Sequence, residues 1–322
     1  MKLNLETQHN QNLAIEITSN TPPLSSKSQK KSLIKSPLRY PGGKSKAIAQ
    51  INQYLPDYFT EYREPFVGGG SVFIYLKQKF PDLKIWINDL NPELYLFWKI
   101  AQSDLTDLVK EISQIKINCN DGKKLFQQFT EIDVNNLTDL ERAVRFFVLN
   151  RITFSGTVES GGFSQQAYHK RFTMSSIERL ASLKYLLQDV TITNLDYHNV
   201  ITESGKNVFI FLDPPYLAAT QSRLYGKKGN LHLNFEHQRF AQIMQKCEHQ
   251  WLITYDNSPE IKQLFSDFHI IEWELQYGMN NYQQQSAAKG QELFIFNYPK
   301  KSLINYENNQ PNIPNWLQLN LF

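Results

Sequence analysis

The sequence predicts an α/β fold: an open, mostly parallel sheet covered by helices, with a mainly helical insertion. Three observations predict it. Short apolar runs alternate with helical patterns over residues 60–100, helical periodicity alone follows from 101 to 189, and the alternation resumes from 190 to 298. With 322 residues, 41% hydrophobic and 13% aromatic, the chain can bury a sizeable core.

Residues 1–35, rich in Gln, Asn, Ser, Lys and Thr with a Pro-Pro pair, read as a flexible arm, and order is expected from about Pro37. From Ile17 through Pro56 there is no acid, whereas Lys27, Lys30, Lys31, Lys35, Arg39, Lys44 and Lys46 occur; this suits either phosphates or a solvated tail. "TEYREPF" (60–66) reads as a strand, Ser71 to about Lys79 as a helix capped by Ser71, and "KIWIND" (84–89) as a strand. Asn91 and Pro92 then open a helix as N-cap and first helical residue. In the insertion, "LERAVRFFVLNR" (140–151) is apolar at Ala143, Val144, Phe147 and Val148, and the Gly/Ser-rich "FSGTVESGGFSQQ" interrupts the helices after it. The sheet returns with "VTITNLD" (190–196), "NVFIFLD" (207–213), "WLITYD" (251–256), "FHIIEWELQY" (268–277) and "ELFIFNY" (292–298). A helix from about 234 to 249 puts Phe235, Phe240, Ile243, Met244 and Cys247 on nearly one face. The polar stretch around Lys289-Gly290 reads as a loop between the last two strands, a plain hairpin connection or a segment near the substrate. The expected domains are 36–100 with 190–300, an insertion at 101–189, and a loosely held tail at 301–322.

Composition excludes several classes. No apolar stretch approaches the roughly 20 residues needed to span a bilayer, and "MKLNLETQHNQN" is too polar for a secretory signal, so a cytoplasmic protein is expected. Cys119 and Cys247 suggest neither a disulfide framework nor a metal cluster. "GGKS" (42–45) resembles the end of a P-loop, but the position five before its second glycine is Leu38, and no strand leads into it.

Ligands of an open α/β sheet gather at the carboxyl ends of its strands. Three ends stand out. In "EPFVGGGSVF" (64–73), Gly68, Gly69 and Gly70 allow close backbone approach to a ligand or a plain strand-to-helix turn. Asp89 follows Gly70 by 19 residues, near the spacing at which an acid grips a ribose hydroxyl, although an Asp there can also merely cap a helix. Asp213-Pro214-Pro215-Tyr216 ends the apolar run of 208–212. Its prolines stiffen the turn and remove two backbone donors, leaving a carbonyl beside Asp213 to accept from a ligand, while Tyr216 offers a stacking face. Two acceptors and a flat face suit the exocyclic amino group of a base.

"LRYPGGKS" (38–45), "EPFVGGGSVF", "NDLNPEL" (88–94) and "FLDPPY" (211–216), in that order with a helical insertion between the last two, resemble the Dam-type, D12-class DNA adenine N6-methyltransferases over roughly residues 37–298. The resemblance implies a Rossmann-like sheet that binds S-adenosylmethionine, an inserted target-recognition domain, and an adenine extruded from double-stranded DNA into the DPPY pocket. It implies donor contacts from Tyr40, Lys44, Asp89 and Asp213, with Phe66 and Gly68 beside them, and likens Asp196 and Tyr197 to the family's acid-aromatic pair near the donor's adenine.

The amino group of adenine is a poor nucleophile until acceptors hold its protons; Asp213 and the Pro214 carbonyl would do so, with Tyr216 stacking on the base. C5-cytosine methylation needs a nucleophilic cysteine next to proline, which neither Cys119 nor Cys247 is. N4-cytosine methylation could use the same acceptors, but Asp rather than Ser precedes the prolines. A non-catalytic DNA-binding relative would be expected to lack Asp213 or the glycine loop. Where GATC-methylating members carry an aromatic-Asn-Gly and then a guanine-reading Arg, this chain has Phe154, Ser155 and, at the Arg position, Glu159; a carboxylate accepts from cytosine N4 and not from guanine, so a site other than GATC is expected. Phe154 reads as a base wedge or a packed core residue. Arg145, Arg151, Lys170 and Arg171 read as phosphate contacts or helix-surface charges. A monomer is expected, solitary or with a restriction endonuclease acting on the same site.

Overall fold

The structure, a computed structural model, describes residues 33–158, 160–217, 235–276 and 289–299. The expectations for the arm before residue 33, for Glu159, for the polar stretch over 277–288 and for the tail lie outside the described residues.

Seven strands form the sheet: β1 (Glu61–Glu64), β2 (Lys84–Asn88), β3 (Val190–Thr193), β4 (Val208–Leu212), β5 (Gln250–Asp256), β6 (His269–Gln276) and β7 (Lys289–Phe296). Their order is β3-β2-β1-β4-β5-β7-β6. The first five are parallel, with Glu61 opposite both Lys84 and Val208; β7 is antiparallel to β5 and β6. The chain steps outward from β1 through β2 to β3, then returns to lay β4 on the other side of β1. The switch point, where a doubly wound sheet opens a crevice, therefore lies between β1 and β4. Lys289 and Gly290, expected in a loop, lie in β7 opposite Gln276 and Leu275, because the antiparallel ladder extends beyond the apolar run.

The apolar run of β4 is continuous because both its faces are covered. Phe209 and Phe211 join one core cluster with Tyr62, Leu252 and Phe294. Val208, Ile210 and Leu212 join the other with Trp251, Ile253 and Phe240. Each such buried side chain contributes about 2 kcal/mol of transfer free energy. Helices α1 (Ile48–Gln53), α2 (Ser71–Lys79) and α3 (Pro92–Ser103) cover the first face; α9 (Tyr197–Thr202), α10 (His237–Gln245) and α11 (Pro259–Leu264) cover the second. Cys247 falls just past α10, half-buried against that second cluster.

Five helices fill the inserted stretch: α4 (Leu105–Asn118), α5 (Gly122–Glu131), α6 (Asp139–Ile152), α7 (Gln165–Arg171) and α8 (Met174–Ala181). Thr138 and Glu141 form a capping box at the start of α6. Beyond the four apolar positions that its periodicity marks, Phe146, Leu149 and Ile152 are also buried, so α6 is enclosed nearly all round. Phe97 of α3 meets Phe146 at 5.6 Å and Phe147 at 6.1 Å, and one cluster runs from the sheet through α3 into α6.

Candidate active site

The carboxyl ends of β1, β2 and β4 line one cavity of about 550 Å³, together with the 40–44 turn and Asp196, Tyr197, Phe235 and Arg239. Sequence-distant motifs thus meet at the switch point.

The glycine loop is built tightly. Gly68 has φ 46°, and a Cβ there would lie 2.9 Å from the Tyr40 ring. Gly70, at φ 69°, is the N-cap of α2; Ser71, expected to cap it, is instead its first helical residue. A Cβ on Gly70 would press into the Phe73 ring and come within 2.8 Å of Trp98, so only glycine fits. Asp89 braces this loop: Oδ2 accepts from the Gly68 amide and Oδ1 from the Asn91 amide, both at 3.0 Å. Burial pushes its carboxyl up to about 6 against those two bonds. Asn91 caps α3 with Pro92 at the first turn, as the sequence predicts. Asn88, 1% exposed, ties three strand ends by donating to the Pro65 and Leu195 carbonyls and accepting from Thr193 and the Leu195 amide.

At the end of β4, Lys44 Nζ sits 2.8 Å from Asp213 Oδ1 and 2.9 Å from Oδ2, and also donates to the Gly42 carbonyl at 2.9 Å. Thr254 Oγ1 donates to Asp213 Oδ1 at 2.8 Å. The Lys44 ammonium lies 5.0 Å from the Tyr216 ring centroid, and the Tyr216 hydroxyl donates to Glu292 Oε2 at 3.0 Å.

Three participants escape the sequence reading. Thr254 is one. Glu64 is buried at the end of β1, where Oε2 accepts from the Tyr62 hydroxyl at 2.8 Å and the Phe73 amide at 3.1 Å. Burial pushes its carboxyl up to about 8, with Asp213 and Asp89 adding to the rise and the two bonds opposing it. Glu292 is pushed up to about 7, mainly by burial, while Lys44 pulls it down. The available signal was an acid inside or ending an apolar strand, as in "QELFIF".

Asp196 caps α9 through the His198 amide, and Arg239 reaches it at 3.4 Å. Tyr197 packs in the second cluster, tilted at 5.4 Å from Phe66, with the Arg239 guanidinium 5.2 Å over its ring.

The residues expected to face DNA divide. Phe154 is 65% exposed on a 3-10 turn, Phe154–Gly156, in which Ser155 has φ 53°; the packed-core alternative does not hold. Lys170 and Arg171 are exposed in the last turn of α7. Arg145 and Arg151 are each 3% exposed, not surface charges, because α6 is buried on that side too. Arg145 donates to the Phe129 carbonyl, while Arg151 lies over the Phe147 ring. Burial first, then Arg179, Arg39 and Arg171, push the Arg151 guanidinium down to about 9. Asn150 clamps Arg39 by accepting from its amide at 2.9 Å and donating to its carbonyl at 2.6 Å. The turn that carries Lys44 is therefore fastened to the helix that presents Phe154.

Comparison with known proteins agrees with this geometry. The model of the D12 class N6 adenine-specific DNA methyltransferases matches residues 40–279. The chain is 27% identical over 230 residues to the Type II methyltransferase M.MjaIII of Methanocaldococcus jannaschii, covering 66% of this chain and 79% of that protein. It is 22% identical over 272 residues to the Type II methyltransferase M1.LlaDCHI of Lactococcus lactis, covering 81% and 94%. It is 27% identical over 188 residues to a DNA adenine methylase of Vibrio cholerae, covering 56% and 64%. With the Rossmann-like sheet, the glycine loop and the DPPY turn at one switch point, the chain belongs to the D12 class of N6 adenine-specific DNA methyltransferases.

Proposed function

We propose that the chain methylates N6 of an adenine extruded from double-stranded DNA, with S-adenosylmethionine as donor. The observation that carries this reading is the meeting of the glycine loop, Lys44 and Asp213-Pro214-Pro215-Tyr216 around one cavity of about 550 Å³. A cavity of that size suits a nucleoside-sized ligand. Its glycines leave room for close approach, Lys44 supplies a buried cation for the donor's carboxylate, and Asp196 with Tyr197 supplies an acid and a ring for its adenosine half. Both Asp89 oxygens hold backbone amides yet keep a second lone pair each, so Asp89 braces the loop and can still accept from a ribose hydroxyl.

The donor, when bound, supplies an activated methyl group on a sulfonium for a single displacement. Asp213 and the Pro214 carbonyl accept hydrogen bonds from the adenine amino group and make its lone pair available, the amino group gives up one proton as the methyl is gained, and Thr254 sets the Asp213 orientation. Stacking on Tyr216 offsets part of the few kcal/mol that extrusion of the base costs. The inserted helices read the target: Phe154 wedges into the stack, Lys170 and Arg171 meet phosphates, Arg151 and Ser155 shape the turn, and Glu159 replaces a guanine-reading Arg. The Type II names of relatives support a companion restriction endonuclease. We read the chain as a monomer working on cytoplasmic DNA; among the described residues no helix is long and apolar enough to cross a membrane.

Expression in a methylation-deficient bacterial host, followed by long-read sequencing, tests this. N6-methyladenine in one short motif, absent with Asp213→Ala, is the expected outcome. N4-methylcytosine, or unchanged adenine methylation by Asp213→Ala, would overturn the assignment.

A further inference from the structure

Glu292 has no part in the reaction as read above, yet its place is costly. It opens the buried run of β7, is 1% exposed, and stands opposite Asp256 of β5 and Trp273 of β6. Desolvating a carboxylate costs several kcal/mol, and an apolar residue in this strand would avoid that cost. Packing alone gives no reason for an acceptor here.

Its side-chain hydrogen bond reaches the active site. Oε2 accepts from the Tyr216 hydroxyl at 3.0 Å, while Oε1 is buried without a hydrogen-bond partner among the described residues. Tyr216 lies 76 residues earlier in the chain, on the turn that ends β4. Its ring bears the Lys44 ammonium at 5.0 Å, and Lys44 grips both oxygens of Asp213. The neighbouring strand β5 supplies Thr254 to the same Asp213 and packs Tyr255 at 5.9 Å from the Tyr216 ring. β5 and β7 therefore hold the DPPY turn, the one at its acid and the other at its aromatic residue. The Tyr216 ring packs against the second core cluster and Tyr255, with Thr254 also within reach of its hydroxyl, and the hydrogen bond to the Glu292 carboxylate fixes the far end of the ring.

We infer that Glu292 is a positioning residue for methyl transfer: it locks the Tyr216 ring in the orientation that receives the target base. The inference rests on the reading of Asp213–Tyr216 as the base pocket. Capture of the base then depends on Glu292, and capture of the donor does not. Tyr216 and Glu292 act as one unit.

The test uses the full chain, genomic DNA from a methylation-deficient host and S-adenosylmethionine, with Glu292→Leu, Glu292→Gln, Tyr216→Phe and the Glu292→Leu/Tyr216→Phe double variant. Loss of one hydrogen bond to a carboxylate predicts a fall of about tenfold in kcat/KM for DNA in Glu292→Leu and in Tyr216→Phe. The double variant falls no further than either single one, because both remove the same bond. The donor Kd from calorimetry stays within about twofold of wild type, and Glu292→Gln, whose amide oxygen accepts the same bond, recovers most of the loss. Wild-type kcat/KM in Glu292→Leu, additive losses in the double variant, or no recovery by Gln would overturn the inference. So would a donor Kd that weakens in parallel with kcat/KM, the mark of general structural damage. If Glu292→Leu does not fold, Tyr216→Phe and Glu292→Gln decide: the first must lose turnover and the second retain it. Tyr216→Ala separates the two levels. Full activity there would sink the base-pocket reading itself, whereas a large loss there beside an inert Glu292→Leu would sink only the role of Glu292.

Discussion

Replacing Lys44 by methionine keeps the length and apolar stem of the side chain and deletes only the ammonium. Lys44 is 3% exposed at its side chain and Asp213 21%, so the pair is partly shielded from water. The lost contacts are 2.8 and 2.9 Å to the two Asp213 oxygens and 2.9 Å to the Gly42 carbonyl. Hydrogen bonds to charged groups contribute about 1.5–3 kcal/mol each. Asp213 retains the Thr254 hydroxyl at 2.8 Å and gains water through its open fifth, which reduces the loss. We expect Lys44→Met to cost about 2–3 kcal/mol, or roughly 5 °C in melting temperature for a chain of this size. Asp213→Asn leaves the ammonium almost wholly buried without its counter-ion and should cost about as much. The double variant Lys44→Met/Asp213→Asn removes both charges and should cost less than the sum, with a coupling of about 2 kcal/mol. Denaturant unfolding of the four proteins measures this directly. Additivity within about 0.5 kcal/mol would refute the claim that the pair is a coupled unit.

Other expectations follow from single residues. Glu64 has its folded value raised to about 8, chiefly by burial, so between its ordinary range near 4.5 and that value the folded state binds more protons than the unfolded one. Stability contributed by this group therefore falls as pH rises across that window. Glu64→Gln, which can still accept from Tyr62 and Phe73, should flatten the decline in a pH series of melting temperatures; an unchanged slope would contradict it. Gly70→Ala forces a Cβ into the left-handed region and against Phe73 and Trp98, so a loss of at least about 2 kcal/mol is expected in thermal unfolding. Phe154→Ala removes a side chain that is 65% exposed; melting should stay within about 0.5 kcal/mol of wild type, while DNA turnover drops. Equal losses in both would return Phe154 to a packing role.

By itself the sequence determined what is short-range. All seven strands and the helices α2, α3 and α10 were legible, because an apolar run, a period of 3.6 and a cap such as Asn91-Pro92 act within a few residues, whereas the short helices α1, α9 and α11 carry too few periodic residues to be read. The DPPY turn and the glycine loop were legible for the same reason: proline and glycine restrict or free the backbone wherever they stand. What the tertiary structure alone decided were the pairings across the sheet. Lys44 meets Asp213 across 169 positions and Tyr216 meets Glu292 across 76, contacts set by strand order and register. Packing also turned Asp89 onto the Gly68 and Asn91 amides, and it enclosed Arg151, which periodicity left on a surface. No local pattern specifies these outcomes. Which buried polar groups meet is settled when the faces of the sheet close, since each must then find a partner inside the protein or bear the cost of desolvation.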